Sequence, residues 1–481
     1  MYDAILLRYG ETGLKSNKTR PYFEKKYINA IKEALKKNYI EGVSINNRGG
    51  RFVLYCEDVE EAIPVLQRVP GIQSLSPAKK ITFSSKKYLI NQVQKLSEER
   101  VKDKIFCVRV NRIGIHEFSS PELEREIGSA LYENSKGVDL TDPEVTVNVE
   151  IRDDDAFVFK ESYDGLGGLP PGTGGKVLCL FSGGIDSPVA ALQMLKRGCE
   201  VDFLFVNLMT DKLKNEVAKI YNFLIENYCF NYKPKIYVLD GKPLTKKIKA
   251  EVPDRLRQLA FKIGLYRIGK FAMQDQICLV TGEALAQKSS QTLESLLFIN
   301  KHGNVPVVRP IFGLDKIEII KIARAIRTMG MSEKVKEFCN LSEGSVVTNP
   351  KEEHIEKIPS FDLLIKKLVE ESHVYKGFMP MNDSESDEQS LPAKSEKSKI
   401  ISVDIRAKNV RENIPLTTNK QISYHELIDK LDDFEKGKSY LFVCEFGVRS
   451  EDVAFTLRKK GVNAAGINMQ NYKNYFEKTK K

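Results

Sequence analysis

Two short stretches carry residue types that can do chemistry. In the first, an apolar strand pattern ending in Leu180 and Phe181 runs directly into Ser182-Gly183-Gly184-Ile185-Asp186-Ser187-Pro188, and a helical pattern follows. Glycines let backbone amides approach a phosphate, a helix N-terminus favours an anion, and the Ser182 and Ser187 hydroxyls add donors. The loop lacks a Gly-Lys-Ser/Thr ending, so it does not hold a γ-phosphate in the Walker manner. Asp186 repels phosphate and is read as a magnesium ligand or an orienter of neighbouring donors. In the second stretch, Cys444-Glu445-Phe446-Gly447-Val448-Arg449-Ser450, a cysteine ends a strand and a short loop leads into a helix. Its amides can form an anion cradle. The helix dipole and Arg449 are expected to lower the thiol pKa and favour a nucleophilic thiolate.

Secondary candidates surround these two. A polar loop, Thr281-Gly282-Glu283-Ala284-Leu285-Ala286-Gln287-Lys288-Ser289-Ser290-Gln291-Thr292, follows a strand pattern, which places Gly282 and Gln291 near Asp186. Lys262 and Lys316 are candidates to neutralise phosphate charge. Arg109, Arg112 and His116 lie in a stretch expected to be a basic loop between a strand and a helix, where arginines beside aromatic groups can meet phosphates and bases.

The elements that must position these groups follow from the hydrophobic pattern. Strand and helix signals alternate as β-α-β-β-α at the N-terminus, which predicts a small ferredoxin-like module, and a second α+β module follows. Residues 165–175 are rich in Gly and Pro and are read as a linker. Strands then alternate with helices from Val177 to Thr281, the signature of a doubly wound parallel sheet. The Ser-, Glu-, Asp- and Lys-rich stretch 376–399 is a second linker, and a smaller α/β pattern closes the chain.

SGGIDS resembles the phosphate loop of the PP-loop ATP pyrophosphatases. Cys-x-x-Gly-x-Arg-Ser, with Val403-Asp404-Ile405-Arg406, resembles the active-site loop and first strand of rhodanese domains. With Phe106–Val110, His116–Ser120, Tyr163–Pro170 and TGEAL-x-Q-x-SSQT, the whole chain resembles the tRNA 4-thiouridine synthetases (tRNA sulfurtransferases). The resemblance implies five segments: a ferredoxin-like domain (1–60), an RNA-binding THUMP domain (61–165), a PP-loop adenylation domain (175–375), the linker (376–399) and a rhodanese domain (400–481). It implies ATP-dependent sulfur transfer to tRNA, with 4-thiouridine made at position 8, and a further supply of sulfur for the thiazole of thiamine.

The resemblance also implies residue roles. Ser182, Gly183, Gly184, Asp186 and Ser187 hold the ATP phosphates, and Asp186 is required for adenylation. Leu180, Phe181, Phe205 and Val206 form the adenosine wall. Lys262, Gly282 and Gln291 contact the nucleotide, and Lys316 is needed for activity. Cys444, in a loop with Gly447 and Arg449, carries the persulfide, and Cys339 is the second redox cysteine. Arg109, Arg112 and His116 are tRNA contacts. The cofactors are ATP and Mg2+, the latter through Asp186. The partners are tRNA, a cysteine desulfurase and a disulfide reductant, and a homodimer is left open. The alternative is an RNA-binding protein with a vestigial nucleotide fold.

Composition sets the bounds. The 481 residues suggest three or four domains, and 42% hydrophobic with 29% charged residues excludes wholesale disorder. No apolar run is long enough to span a bilayer and no signal peptide is read at the N-terminus, so a cytoplasmic location is expected. None of the eight cysteines forms a Cys-x-x-Cys pair, so no zinc or iron–sulfur site is expected. The net charge of +10 is assigned to the RNA-binding front half.

Overall fold

The computed structural model describes residues 2–48, 50–209, 211–335, 341–381 and 400–476. The chain divides into two compact units, 1–170 and 171–481.

In the first unit one sheet holds β1 (Ala4–Tyr9), β2 (Ser44–Asn47), β3 (Phe52–Tyr55), β4 (Ile72–Thr82), β5 (Ile105–Ile113), β6 (Gly137–Val138), β7 (Val145–Arg152), β8 (Asp155–Phe159) and β9 (Tyr163–Asp164). Its order is β2-β3-β1-β4-β8-β7-β5-β6, with β9 paired to β4. Four helices pack on it: α1 (Arg20–Lys37), α2 (Val59–Leu66), α3 (Lys86–Val101) and α4 (Ser120–Tyr132). Asp58 and Ser119 cap α2 and α4 by accepting from the backbone amides of Glu61 and Glu122. The long strand β4 pairs with both β1 and β8, so the two N-terminal modules share one sheet.

A buried charge cluster crosses that junction. Glu150 on β7 is 2% exposed and pairs with Arg152 (2.5 Å), Arg51 (3.1 Å) and Arg8 on β1 (3.3 Å). Burial opposes ionisation, but the three guanidiniums outweigh it and hold the carboxyl below its ordinary value.

In the second unit a six-stranded sheet runs β14 (Val307–Val308), β13 (Leu279–Val280), β10 (Lys176–Leu180), β11 (Glu200–Asn207), β12 (Lys235–Asp240), β15 (His373–Lys376). It is parallel except for β15, which pairs antiparallel with β12. Helices α5 (Asp186–Lys196), α6 (Asp211–Tyr228), α7 (Lys242–Glu251), α8 (Arg257–Ala272), α9 (Leu293–Gly303), α10 (Lys316–Ala325), α11 (Met329–Ser332) and α12 (Asp362–Glu370) accompany it. A parallel four-stranded sheet follows, ordered β17 (Lys420–Gln421), β16 (Ile400–Asp404), β18 (Ser439–Cys444), β19 (Asn463–Asn468). Its helices are α13 (Lys408–Asn413), α14 (Tyr424–Asp429), α15 (Val448–Lys459) and α16 (Met469–Phe476).

Two expectations need correction. Arg109 and Arg112 lie within a strand, because β5 pairs with β7 without a break from Phe106 to Ile113. The Gly/Pro stretch is not a free linker at either end. Gly165 and Gly167 donate to Gln73 and Ile72 in the first unit, and Gly172 and Gly174 donate to Gly198 in the second. Among the described residues no helix is long and apolar enough to cross a membrane.

Glu150→Gln leaves three arginines around a neutral group. It should destabilise the first unit by about 3 kcal/mol, as breaking a buried ion pair does, measured by denaturant unfolding. An unchanged midpoint would show that the cluster is not structural.

Candidate nucleotide and sulfur site

The phosphate loop is built from the end of β10 to the start of α5. Gly183 takes φ of +75°, and a Cβ there would sit 2.9 Å from Val217 on α6, so the position is left to glycine on both counts. Ser182 Oγ accepts from the Gly184 amide (3.3 Å), and Ser187 Oγ accepts from the Ser182 amide (3.2 Å). The two hydroxyls therefore fix the shape of the loop.

The second polar loop meets the first backbone to backbone. A Cβ on Gly282 would lie 2.9 Å from both the Asp186 carbonyl carbon and the Ser187 nitrogen. Gln291, 5% exposed, holds its loop through its main chain, while its Oε1 has no hydrogen-bond partner. Asp315 and Glu318 form a capping box that starts α10 at Lys316. Lys316 Nζ reaches Asp186 Oδ1 at 2.6 Å, joining two residues 130 positions apart. Among the described residues no group of three His, Cys, Asp or Glu side chains could hold a metal. Mg2+ keeps several waters and needs only one or two carboxylates beside substrate phosphates, so Asp186 fits such an ion.

Lys262 is tied down. Its Nζ lies 3.0 Å from Glu283, a carboxylate 2% exposed at the end of β13. Glu283 also accepts from Thr281 Oγ1 (2.9 Å), Tyr266 Oη (2.5 Å) and Arg309 Nε (3.0 Å). Burial opposes ionisation, but Lys262, Tyr266 and Arg309 outweigh it and hold the carboxyl down at about 2. Sequence reasoning gave Glu283 and Arg309 no role. The one signal was a glutamate directly after the glycine of a buried strand end.

The four residues expected as the adenosine wall split between two faces of the sheet. Leu180 and Val206 pack beside Leu204 on the α8 side. Phe181 and Phe205 are each 2% exposed, and Phe181 stacks edge-on against Phe203, which does the same against Tyr221 of α6. Their side chains fill the core and leave main chain to offer a ligand.

Cys444 ends β18, and its Sγ accepts from the amides of Gly447 (3.1 Å) and Ser450 (3.3 Å). The amide cradle is present, but the expected acidification is not. Burial, then Glu226 and Glu445, push the thiol up to about 11, against the hydrogen bonds from Ser450. Arg449 is engaged elsewhere, 2.8 Å from Glu226 on α6. At the end of β16, Asp404 and Arg406, two residues beyond it, form a fully buried bidentate pair. Cys339 lies outside the described residues. The other seven cysteines are free thiols.

In the first unit His116 is held on both ring nitrogens, by Arg112 (3.1 Å) and the Asp153 carbonyl (2.8 Å), and Arg109 donates to the Leu140 carbonyl. The charge assignment fails on a count. Residues 1–170 hold 26 Lys+Arg and 26 Asp+Glu, so the whole +10 belongs to 171–481. Between 242 and 270 alone there are nine basic and two acidic residues, with Lys242, Lys246, Lys247 and Lys249 exposed on α7.

The crevice at the C-terminal strand ends and the phosphate loop define the second unit as a doubly wound nucleotide-site protein, joined to a smaller cysteine-bearing α/β sheet. Family models match the ThiI ferredoxin-like domain at residues 4–76, the THUMP domain at 84–161 and the thiamine biosynthesis protein (ThiI) at 172–364. The tRNA sulfurtransferase of Thermoplasma volcanium is 35% identical, covering 95% of this chain and 94% of its own. That of Pyrobaculum aerophilum is 33% identical, covering 97% and 96%. A solved 4-thiouridine synthetase–RNA complex with bound ATP is 26% identical with a TM-score of 0.66, covering 78% of this chain and 100% of that one. The chain belongs to the ThiI family. Its N-terminal unit is ferredoxin-like plus THUMP, and its six-stranded sheet is the PP-loop domain.

Two outcomes follow for the site. Gly282→Val drives a branched side chain into the Asp186–Ser187 backbone and should weaken ATP binding by about tenfold or more by calorimetry; unchanged affinity would separate the two loops functionally. Glu283 contributes stability above its unfolded pKa, and that stability is lost as pH falls from the ordinary carboxylate value toward about 2. Glu283→Gln should be about 3 kcal/mol less stable at pH 7, with a flatter loss of melting temperature in acid; a parallel acid profile would contradict the assignment.

Proposed function

We propose that the protein transfers sulfur to tRNA at the cost of ATP, making 4-thiouridine at position 8. The observation that carries this reading is the Asp186–Lys316 pair at a glycine-clasped phosphate loop, in the same unit as a cysteine seated in an amide cradle. In this reading the domain order is that expected from the sequence, with residues 400–481 acting as a rhodanese domain; the segment expected as linker from 376 is packed on α6 as far as Met379. Relatives carrying the name tRNA sulfurtransferase, and a solved neighbour described as an RNA complex with bound ATP, support both substrates. The exposed lysines of α7 add charge for an RNA backbone.

The chemistry assigns each residue a task. The amides of Ser182–Ser187 and the Gly282 loop would hold the ATP phosphates, Asp186 would hold Mg2+, which would neutralise phosphate charge, and Lys316 balances charge. The uridine oxygen on carbon 4 attacks the α-phosphorus, pyrophosphate leaves, and carbon 4 is activated as an adenylate. Cys444, as thiolate, takes the terminal sulfur from the persulfide of a cysteine desulfurase, which departs as a thiolate. The terminal sulfur of the Cys444 persulfide attacks carbon 4 and AMP leaves. Cys339 then attacks Cys444 Sγ, which releases the thiolated base and forms a disulfide that a two-electron reductant reopens. The same persulfide can feed the thiazole of thiamine. The intact phosphate and cysteine loops count against a purely RNA-binding role.

Purified protein given ATP, Mg2+, a cysteine desulfurase, cysteine and unmodified tRNA should form 4-thiouridine with one pyrophosphate per thiouridine. Asp186→Asn should lose about 2 orders of magnitude of that rate or more. Absence of thiouridine with the intact protein would overturn the reading, and full activity of Asp186→Asn would remove Asp186 from it.

A further inference from the structure

The Cys444 side chain is buried, and its loop, with Phe446 half exposed, makes contacts with the PP-loop domain. Arg449, 9% exposed, pairs with Glu226 (7% exposed) on α6 at 2.8 Å. Phe446 stacks on Phe378, ring centroids 4.5 Å apart. Phe378 is held in place because Asn222 on α6 both donates to and accepts from the Met379 main chain (2.9 and 2.8 Å), and Tyr221 donates to the Gly377 carbonyl (2.8 Å).

A second row of contacts lies alongside. Arg327 reaches Asp452 at 2.6 Å and lies over the Tyr424 ring; it takes φ of +61°, a conformation that costs any residue but glycine. Lys334 pairs with Glu451, and Lys459 with Glu333. Phe455 packs so tightly on α11 that a Cβ on Gly330 would lie 2.1 Å from its ring.

The Arg449–Glu226 contact lies further along α6 than the phosphate loop: a Cβ on Gly183 would meet Val217 and Ile220, and Glu226 is six residues further on, about 9 Å along the helix. Cys444 is 1% exposed here. A donor persulfide must nevertheless reach its sulfur.

We propose that the face of the Cys444 domain formed by Phe446, Arg449, Asp452 and Phe455 is a shared docking surface, occupied in turn by α6–α11 of the same chain and by the sulfur-donor protein. This rests on the sulfurtransferase reading. The partner chemistry is set by the intramolecular template. The donor must offer a carboxylate to Arg449, as Glu226 does, and a flat apolar group to Phe446, as Phe378 does. The docked arrangement closes the thiol, and loading requires its release.

The test uses the full chain without ATP or tRNA. The rate of Cys444 alkylation by iodoacetamide is read on its peptide by mass spectrometry. Gly330→Leu cannot coexist with the Phe455 ring and should speed alkylation by about tenfold or more, with Phe378→Ala moving it in the same direction. Loading of Cys444 from a purified cysteine desulfurase with labelled cysteine should accelerate in both variants. Buried Cys179 should stay unreactive; if it reacts in Gly330→Leu, Phe378→Ala alone decides. Unchanged alkylation, or faster alkylation with unchanged loading, overturns the proposal. Thiouridine formation by Cys444→Ser through many turnovers would instead overturn the sulfurtransferase reading, which the alkylation measurement does not touch.

Discussion

The second unit depends on one close approach, that of the Gly282 backbone to the first turn of α5. Two loops can converge at the C-terminal edge of a parallel sheet only if nothing bulky stands between them, and there the spacing leaves no room for a single methyl group. That approach sets Asp186 and brings the Glu283 network beneath the same crevice. Glu283 in turn fixes Lys262 and Arg309, which would otherwise repel one another across a buried strand end. The crevice is therefore preorganised by backbone fit and by one buried carboxylate, the arrangement expected where charge must be stabilised without reorganisation.

Much of the fold was legible because it is local. Strand-to-helix alternation and the SGGIDS turn are written in adjacent residues, and they mark the sheet and the phosphate loop. What was not legible is set by long-range packing. Nothing in the spacing of Asp186 and Lys316 says that they touch. Whether Phe181 faces a ligand or the core depends on α6. The antiparallel strand β15 is an edge added by a segment with little apolar pattern. The Cys444 thiol is the sharpest case. Its loop alone argues for a low pKa, but burial raises it first, and then the negative charge of Glu226, more than two hundred residues earlier in the chain, adds to the effect.

The charge balance teaches the same lesson at larger scale. A whole-chain excess of ten basic residues carries no address, and the front unit turns out neutral. In the proposed reading, RNA recognition by that unit rests on shape and on individual groups rather than on net charge.

The account separates two events, activation of a base at the phosphate loop and delivery of sulfur from Cys444. The measurement that tests this most directly is pyrophosphate release set beside thiouridine formation in a single turnover of the Cys444→Ser protein with ATP and unmodified tRNA. The account predicts that pyrophosphate is still released on addition of tRNA while no 4-thiouridine appears. Loss of both together, with the fold intact, would contradict the separation of activation from sulfur delivery.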